Sequence, residues 1–299
     1  MPEPLTSNVT DVALIFEGGG MRASYTSAVV QVLLDEGLHL DWVAGISAGS
    51  TNTANYLARD GARARRSFVE FAGDPEFGGW GSFLTGKGYF NAHYIYEQTS
   101  LPGQALPYDL ATYLANPARC AIGAFEADTG RTVYWGRDDL ATLPDLMRKV
   151  RASSTMPILM PPVAIDGHVY VDGALGPSGG IALDAAKAAG FTRFFVVLTQ
   201  ERGYRKPPSR LPAAYRSWFR KLPAVADALT DRWRHYNATR EELFDLERSG
   251  QALLFAPEQM AVRNHTRSVP VLQASYQAGL AQARREAPGW REWLGVGGG

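Results

Sequence analysis

The chain has 299 residues, 45% of them hydrophobic and 20% charged, with 31 Gly and 18 Pro, a mix close to the globular average that excludes a disordered, collagen-like or coiled-coil chain. Thirty Lys and Arg balance 30 Asp and Glu, so the dominant basic field that nucleic acid would require is absent and an anionic partner must be met by a local patch. Cys120 is the only cysteine, which excludes an intrachain disulfide and a thiolate metal cluster and fits a reducing compartment.

The first residues hold no basic side chain and only a five-residue apolar run, Val12 to Phe16, too short and wrongly flanked for a signal peptide. No later run approaches the roughly 20 apolar residues of a membrane span. The expectation is a cytoplasmic protein, with peripheral contact at the inner membrane surface left open.

Val12 to Phe16 is a predicted strand that ends in Glu17 and Gly18-Gly19-Gly20, and Val29, Val30, Leu33 and Leu34 then recur at helical spacing. Leu40 to Ala44 runs as a second strand into Gly45-Ile46-Ser47-Ala48-Gly49, followed by a small-residue helix from Thr51 to Arg59. Together these make a parallel βαβ unit. Between Phe68 and Tyr108 glycines and aromatics cluster without clean periodicity, which suggests irregular elements around a pocket. Arg119 to Ala127 and Arg131 to Trp135 flank an Asp128-Thr129-Gly130 turn, and Ala164 to Val171 contains an Asp166-Gly167 turn, so both read as hairpins. Leu183 to Ala189 is a predicted helix and Arg193 to Thr199 a buried strand.

Ser47 is the leading chemical candidate. A Gly-x-Ser-x-Gly pattern between a strand and a helix projects the serine hydroxyl from a sharp turn, because Gly45 and Gly49 remove side chains that would clash there. Gly176-Pro177-Ser178-Gly179-Gly180 has the same pattern, but its strand ends near Val171 and Pro177 disfavours the compact turn. A serine needs a base and donors for the oxyanion. Gly18, Gly19 and Gly20, with Arg22, are the candidate donors at a helix start. Gly18, Gly20 and Ala23 also satisfy a dinucleotide fingerprint, but the acidic ribose ligand which that reading needs after the second strand is replaced by Gly45-Ile46-Ser47. Among the five histidines, His265 has the best chain order for a Ser-Asp-His triad. Asp172, at a strand end before Gly173, is a carboxylate that could take the Ser47 proton directly.

These motifs make the chain resemble the patatin-like phospholipase family. Gly18-Gly19-Gly20-Met21-Arg22 matches the family's oxyanion loop, Gly45-Ile46-Ser47-Ala48-Gly49 its nucleophile elbow, and Asp172-Gly173-Ala174 its aspartate motif. Ala152 to Pro157 resembles the Ala-Ser block ahead of that aspartate, and Pro177 falls where a proline often follows it. Ala23 and Ala174 depart from the commoner glycines without removing a reacting group. The resemblance covers about Val12 to Thr199. It implies a three-layer α/β/α fold with a mainly parallel central sheet, a Ser47–Asp172 dyad without histidine, no metal or other cofactor, and lipid or other ester substrates. A Ser-His-Asp carboxylesterase and a non-catalytic nucleotide- or lipid-binding module are the competing readings.

The expected organisation is an α/β core over 10–200 and a mostly helical extension over 201–299 packed on it. Within the extension, Arg202 to Arg234 carries nine basic residues against Asp227 and Asp231. Tyr215, Trp218, Phe219, Leu222, Leu229 and Trp233 recur there at helical spacing, with Pro223 dividing two helices. Such a segment reads as a helix docked on the core with a solvated basic side, as a lid, or as a peripheral membrane contact. Gly81 to Gly88 falls one residue short of a phosphate-binding loop and reads as a turn. No spacing of His, Asp or Glu marks a metal site.

Overall fold

A computed structural model describes residues 5–297. The predicted βαβ unit is present as β1 (Ala13–Phe16), α1 (Ala23–Asp35), β2 (Trp42–Ile46) and α2 (Ala48–Leu57), followed by α3 (Gly61–Phe68). The aromatic-rich stretch folds into short turns, α4 (Trp80–Leu84), a wide helical turn over His93–Gln98 and α5 (Leu110–Ala115). The two hairpins are β3 (Arg119–Glu126) with β4 (Arg131–Trp135), and β5 (Val163–Ile165) with β6 (His168–Asp172), separated by α6 (Leu143–Ser153). Then come α7 (Leu183–Ala188), β7 (Phe194–Val197), α8 (Pro212–Trp218), α9 (Pro223–Arg248), β8 (Ala252–Phe255) and α10 (Val269–Leu294).

All eight strands form one sheet in the order β5-β6-β3-β2-β1-β7-β8, with β4 beside β3. The run β3-β2-β1-β7-β8 is parallel, and β4, β5 and β6 are antiparallel. Both faces of the parallel part are apolar, as a sheet covered on both sides requires. Leu14, Phe16, Val43 and Phe195 point to the layer of α1, α2 and α10. Ala13, Ile15, Ala44, Ile46 and Val196 point to the layer of α7 and α9. This is the three-layer arrangement.

One feature of the pairing positions the site. β2 pairs with β3 from Arg119 to Gly123, and β6 pairs from Ala124 to Glu126, while β4 holds the other edge of β3 over Ile122 to Glu126. Thus β2 and β6 lie end to end on one edge of β3, running toward each other. The parallel strand stops at Ile46 opposite Gly123, and the antiparallel one stops at Asp172 opposite Ala124. Gly173 can pass through the junction because it has no Cβ, which would lie 2.4 Å from the Gly123 carbonyl oxygen.

After residue 200 come α8, α9 and α10, joined by irregular chain over 201–211 and 256–268, and β8, whose Leu253 and Leu254 pair parallel with Phe195 and Val196 and extend the sheet. Pro223 stands at the first helical position of α9, where its missing N–H costs nothing. No helix among the described residues is long and apolar enough to cross a membrane.

Candidate active site

Ser47 sits between β2 and α2 with φ 57° and ψ −130°, a conformation that costs about 1–3 kcal/mol for a residue with a side chain. The surroundings hold it there. A Cβ on Gly45 would lie 2.1 Å from the Gly49 carbonyl oxygen, and one on Gly49 would lie 2.1 Å from that of Phe16, so only glycine lets the turn close against the sheet. The Ser47 N–H donates to Ser153 Oγ at 2.9 Å, and that hydroxyl donates to the Gly123 carbonyl at 2.5 Å. Ser153, from the Ala-Ser block, is fully buried and ties the elbow to β3. Its partners lie far away in sequence, so its type and spacing gave no signal of that role.

The Ser47 hydroxyl donates to Asp172 Oδ2 at 2.8 Å, and Asp172 Oδ1 accepts from the Ala174 N–H at 2.9 Å. The two residues are only 5% and 6% exposed. Burial pushes the Asp172 carboxyl above its ordinary range, opposed by the charge of Arg232, the Ala174 N–H and the Ser47 hydroxyl. Desolvation therefore makes this carboxylate a stronger base than a free one.

The glycine loop lies against the elbow: a Cβ on Gly18 would stand 2.9 Å from both Ile46 O and Ser47 Cβ. Its N–H groups are not equivalent. That of Gly18 donates to the Gly180 carbonyl at 3.0 Å and that of Met21 to the Asn264 carbonyl at 3.0 Å. Gly18 therefore gives close approach and not a free donor, which corrects the expectation for that residue. The Gly19 and Gly20 N–H groups, and that of Ala48 at the start of α2, have no such acceptor among the described residues. Gly20, Ser47 and Ala48 line one cavity. The Arg22 Nε is buried without an acceptor among the described residues, and burial lowers the pKa of this side chain.

The cavity runs from Ser47 into an apolar wall of Phe68, Phe71, Phe77, Phe90, Leu106, Met156 and Met160. Most of these come from the segment that sequence periodicity could not resolve. Tyr96, Thr51 and Ser154 bring hydroxyls to its polar end, and sequence reading had missed all three. Arg63 is buried at the wall on Asn55, Ser100 and the Leu106 carbonyl, 5.0 Å from the Tyr108 ring, and burial lowers it to about 10.

No histidine is hydrogen-bonded to Ser47 or Asp172 among the described residues. His265 is exposed, with Nδ1 on Asn264 Oδ1 at 3.0 Å. Cys120 is buried and its thiol is pushed up to about 11, so it offers little thiolate. Glu126, Asp128 and His168 gather within 4.8 Å of one another at the far end of β6, a cluster no sequence spacing announced. There Glu126 already accepts from Arg131, Thr129 and Tyr170, and His168 pairs with Asp128. The Gly81 to Gly88 stretch is most of α4 and the turn that follows it, with no strand before it.

Fold and site together define an α/β protein with a buried serine–carboxylate pair at the floor of an apolar cavity. A family model described as patatin-like phospholipase matches residues 14–183, more than half of the chain. The chain belongs to the patatin-like phospholipase family. A second family model, a domain of unknown function, matches residues 222–295. Among curated proteins, the uncharacterized protein YjjU of Escherichia coli (strain K12) is 26% identical over 199 residues, 63% of this chain and 52% of that protein. The chain thus spans about half the length of that relative. Among solved structures, VipD from Legionella pneumophila is similar with a TM-score of 0.47 and 14% identity, over 92% of this chain and 66% of VipD.

Proposed function

We propose that this protein is a serine acyl hydrolase acting on lipid esters, with Ser47 as nucleophile and Asp172 as its base. The observation that carries this reading is the 2.8 Å hydrogen bond from Ser47 Oγ, which lines an apolar cavity, to the buried Asp172 carboxylate. Ser47 Oγ attacks the ester carbonyl as its proton passes to Asp172. The Gly19 and Gly20 N–H groups receive the charge that develops on the carbonyl oxygen. Collapse of the tetrahedral intermediate returns the proton to the departing alkoxide, and the acyl chain rests along the phenylalanine wall. Water then gives a proton to Asp172 and attacks the acyl-enzyme, and Ser47 recovers its proton as the fatty acid leaves.

The test is hydrolysis of a p-nitrophenyl ester series by wild type, Ser47→Ala and Asp172→Asn, with folding checked by circular dichroism. Loss in both folded variants is expected. Activity indifferent to Ser47, or retained by Asp172→Asn and abolished by His265→Ala, would overturn the dyad.

The substrate's phase gives the extension a second role in the same reading, contact with a membrane surface. The amphipathic stripe of the sequence divides: Phe219 and Leu222 pack inward beside Val171, Leu175 and Val225, while Trp218 is 57% and Leu211 51% exposed. Trp218, Phe83 and Ile158 line one surface groove with Met160, which also lines the Ser47 cavity. Lys87, Arg210, Arg216, Arg220 and Lys221 are exposed around them without ion-pair partners among the described residues. Apolar anchors within a basic rim suit an anionic lipid surface. Co-sedimentation with vesicles of phosphatidylcholine and phosphatidylserine is expected to fall sharply when Arg216, Arg220 and Lys221 are changed to Gln together. Unchanged co-sedimentation would sink the membrane role.

A further inference from the structure

The chain between β8 and α10 reaches the cavity, and no step of the proposed mechanism uses its side chains. Val262 anchors it in the core with Met21, Phe68 and Phe71. A turn follows, in which the Arg263 N–H donates to Thr266 Oγ1 at 3.0 Å and the Thr266 N–H to the Arg263 carbonyl at 3.1 Å. Arg267 then ties the segment to the wall: its guanidinium donates to the Gly78 carbonyl and stands 5.4 Å from the Phe77 ring centroid. Asn264 lies between these anchors and lines the same cavity as Gly20, Ser47, Ala48 and Met156.

Asn264 is fitted to the glycine loop. Its carbonyl accepts the Met21 N–H at 3.0 Å. A Cβ on Gly20 would lie 2.4 Å from that carbonyl oxygen and 3.1 Å from Asn264 Cβ, so the two residues pack with no space for a side chain between them. The side-chain amide is oriented by its two ends. Oδ1 meets Nδ1 of the exposed His265 at 3.0 Å, and Nδ2 meets Met156 Sδ at 4.0 Å. With the His265 proton assigned to Nδ1, Oδ1 is the acceptor and Nδ2 is left beside the cavity-lining Met156. A thioether is a weak acceptor and the amide carries two N–H groups, so this donor is uncommitted next to Gly20. Met156 in turn follows Thr155, whose carbonyl accepts the Asp172 N–H at 2.8 Å. The amide thus reaches from the glycine loop to the chain that fixes the base, with Ser47 on the same cavity.

We propose that the Asn264 side-chain amide is a further oxyanion donor, joining the Gly19 and Gly20 N–H groups on the oxygen of the attacked ester carbonyl. This rests on the reading of Ser47 as the nucleophile. As the Ser47 oxygen bonds to the ester carbon, the carbonyl π pair moves onto its oxygen, and Asn264 Nδ2–H donates to that oxygen while keeping its proton. The Met21 N–H, next in the row of backbone donors, is taken by the Asn264 carbonyl, and the same residue supplies a donor from its side chain instead. An anchored segment suits this task, because a donor already in place costs no reorganisation when the charge develops. Asn264 lies within residues 222–295, which the second family model matches, so the C-terminal extension completes the active site of the core.

The test uses the full chain and p-nitrophenyl butyrate. Asn264→Ala keeps the main-chain bond to Met21 and is expected to lower kcat about 100-fold, the effect of losing one oxyanion donor, with KM within about threefold. Asn264→Asp keeps the shape but sets an acceptor in the donor's place. It is expected to be the slower of the two, and it carries the test should Asn264→Ala fail to fold. Butylboronic acid reads the same contact without turnover. Ser47 adds to boron, its proton passes to Asp172, and the tetrahedral boronate places an anionic oxygen where the oxyanion forms. Its inhibition constant is expected to rise in each variant by about the factor by which kcat/KM falls, while that of butyramide, planar and uncharged, stays within about twofold. A KM that rises with kcat unchanged, equal rises for boronate and butyramide, or a boronate affinity unmoved by either substitution overturns the donor. Wild type that neither turns over the ester nor takes up the boronate removes the acyl hydrolase reading and this proposal with it, whereas an active wild type with unimpaired variants removes the donor alone.

Discussion

The floor and the wall of the cavity are built on opposite principles. The floor is the junction where β2 and β6 end against β3, and its polar groups are bonded in sequence: Ser47 N–H to Ser153, Ser153 to Gly123, Ser47 Oγ to Asp172, Asp172 to Ala174. The wall is a set of short helices and turns between α3 and α5, held by apolar and aromatic packing such as Phe71 on Phe77 and Phe77 on Phe90. The difference follows from what each must hold. A proton transfer tolerates little misplacement, so its groups sit on strand ends of a buried sheet. An alkyl chain needs only exclusion of water, which many packings supply.

The comparison breaks most sharply at the dyad. Ser47→Ala and Asp172→Asn are each expected to lower kcat/KM by roughly 10³- to 10⁵-fold, and the double variant little further, because the two act as a unit. Steady-state kinetics on one ester in the three proteins checks this. Additive losses would mean that they do not.

Ser153→Ala comes next. It strands a buried N–H and a buried carbonyl, at about 1–3 kcal/mol in stability, and loosens the strained elbow. The expected outcome is a loss of about 10- to 100-fold in kcat with KM nearly unchanged, since the residue positions Ser47 and does not touch substrate. A variant that unfolds earlier yet keeps full kcat would reduce Ser153 to a packing role.

The sign of the pH dependence follows from Asp172. It must be ionised to accept a proton, and burial raises its pKa, so kcat/KM is expected to rise with pH through a limb above the ordinary carboxylate range and to fall on acidification. Arg232 opposes that rise, so Arg232→Gln is expected to move the limb further upward. A pH–rate profile of both proteins on a neutral ester reads the two shifts; a downward move would mean that the Arg232 charge does not reach the base.

Legibility in the sequence divides along the same line. The floor was readable: Gly45 and Gly49 are required by backbone contacts, and such requirements leave glycines at fixed offsets. The meeting of Ser47 with Asp172 was carried by the family resemblance, because it depends on two strands sharing one edge of β3, which no local pattern encodes. The wall was not readable, since its helices are too short to show a period. β8 escaped because Ala252 to Phe255 is a four-residue apolar run whose strand partner, β7, lies more than 50 positions earlier. The basic segment shows how a helical stripe misleads. It reveals that one face is apolar and one basic, but not that the fold turns Lys206 and Arg232 inward while Arg216, Arg220 and Lys221 stay in solvent.

The smallest effects belong to the wall and its rim. Met156→Trp fills the passage between Ser47 and the phenylalanines, and the ratio of kcat/KM for a long-chain over a short-chain ester is expected to fall about tenfold, within the range that a few methylenes command in an apolar pocket. At the rim, Ile158 has φ 73° and is 47% exposed. It is thus strained like Ser47, inside a turn closed by the Met160 N–H on the Met156 carbonyl. Ile158→Gly removes that strain, and thermal unfolding is expected to show a gain of up to about 1 kcal/mol. Co-sedimentation with vesicles is expected to drop modestly in the same variant, because an apolar anchor is lost from the groove. The gain and the drop together would mean that strain at the rim, as at Ser47, is kept for what the side chain meets; a gain alone would leave Ile158 a local cost with no counterpart in binding.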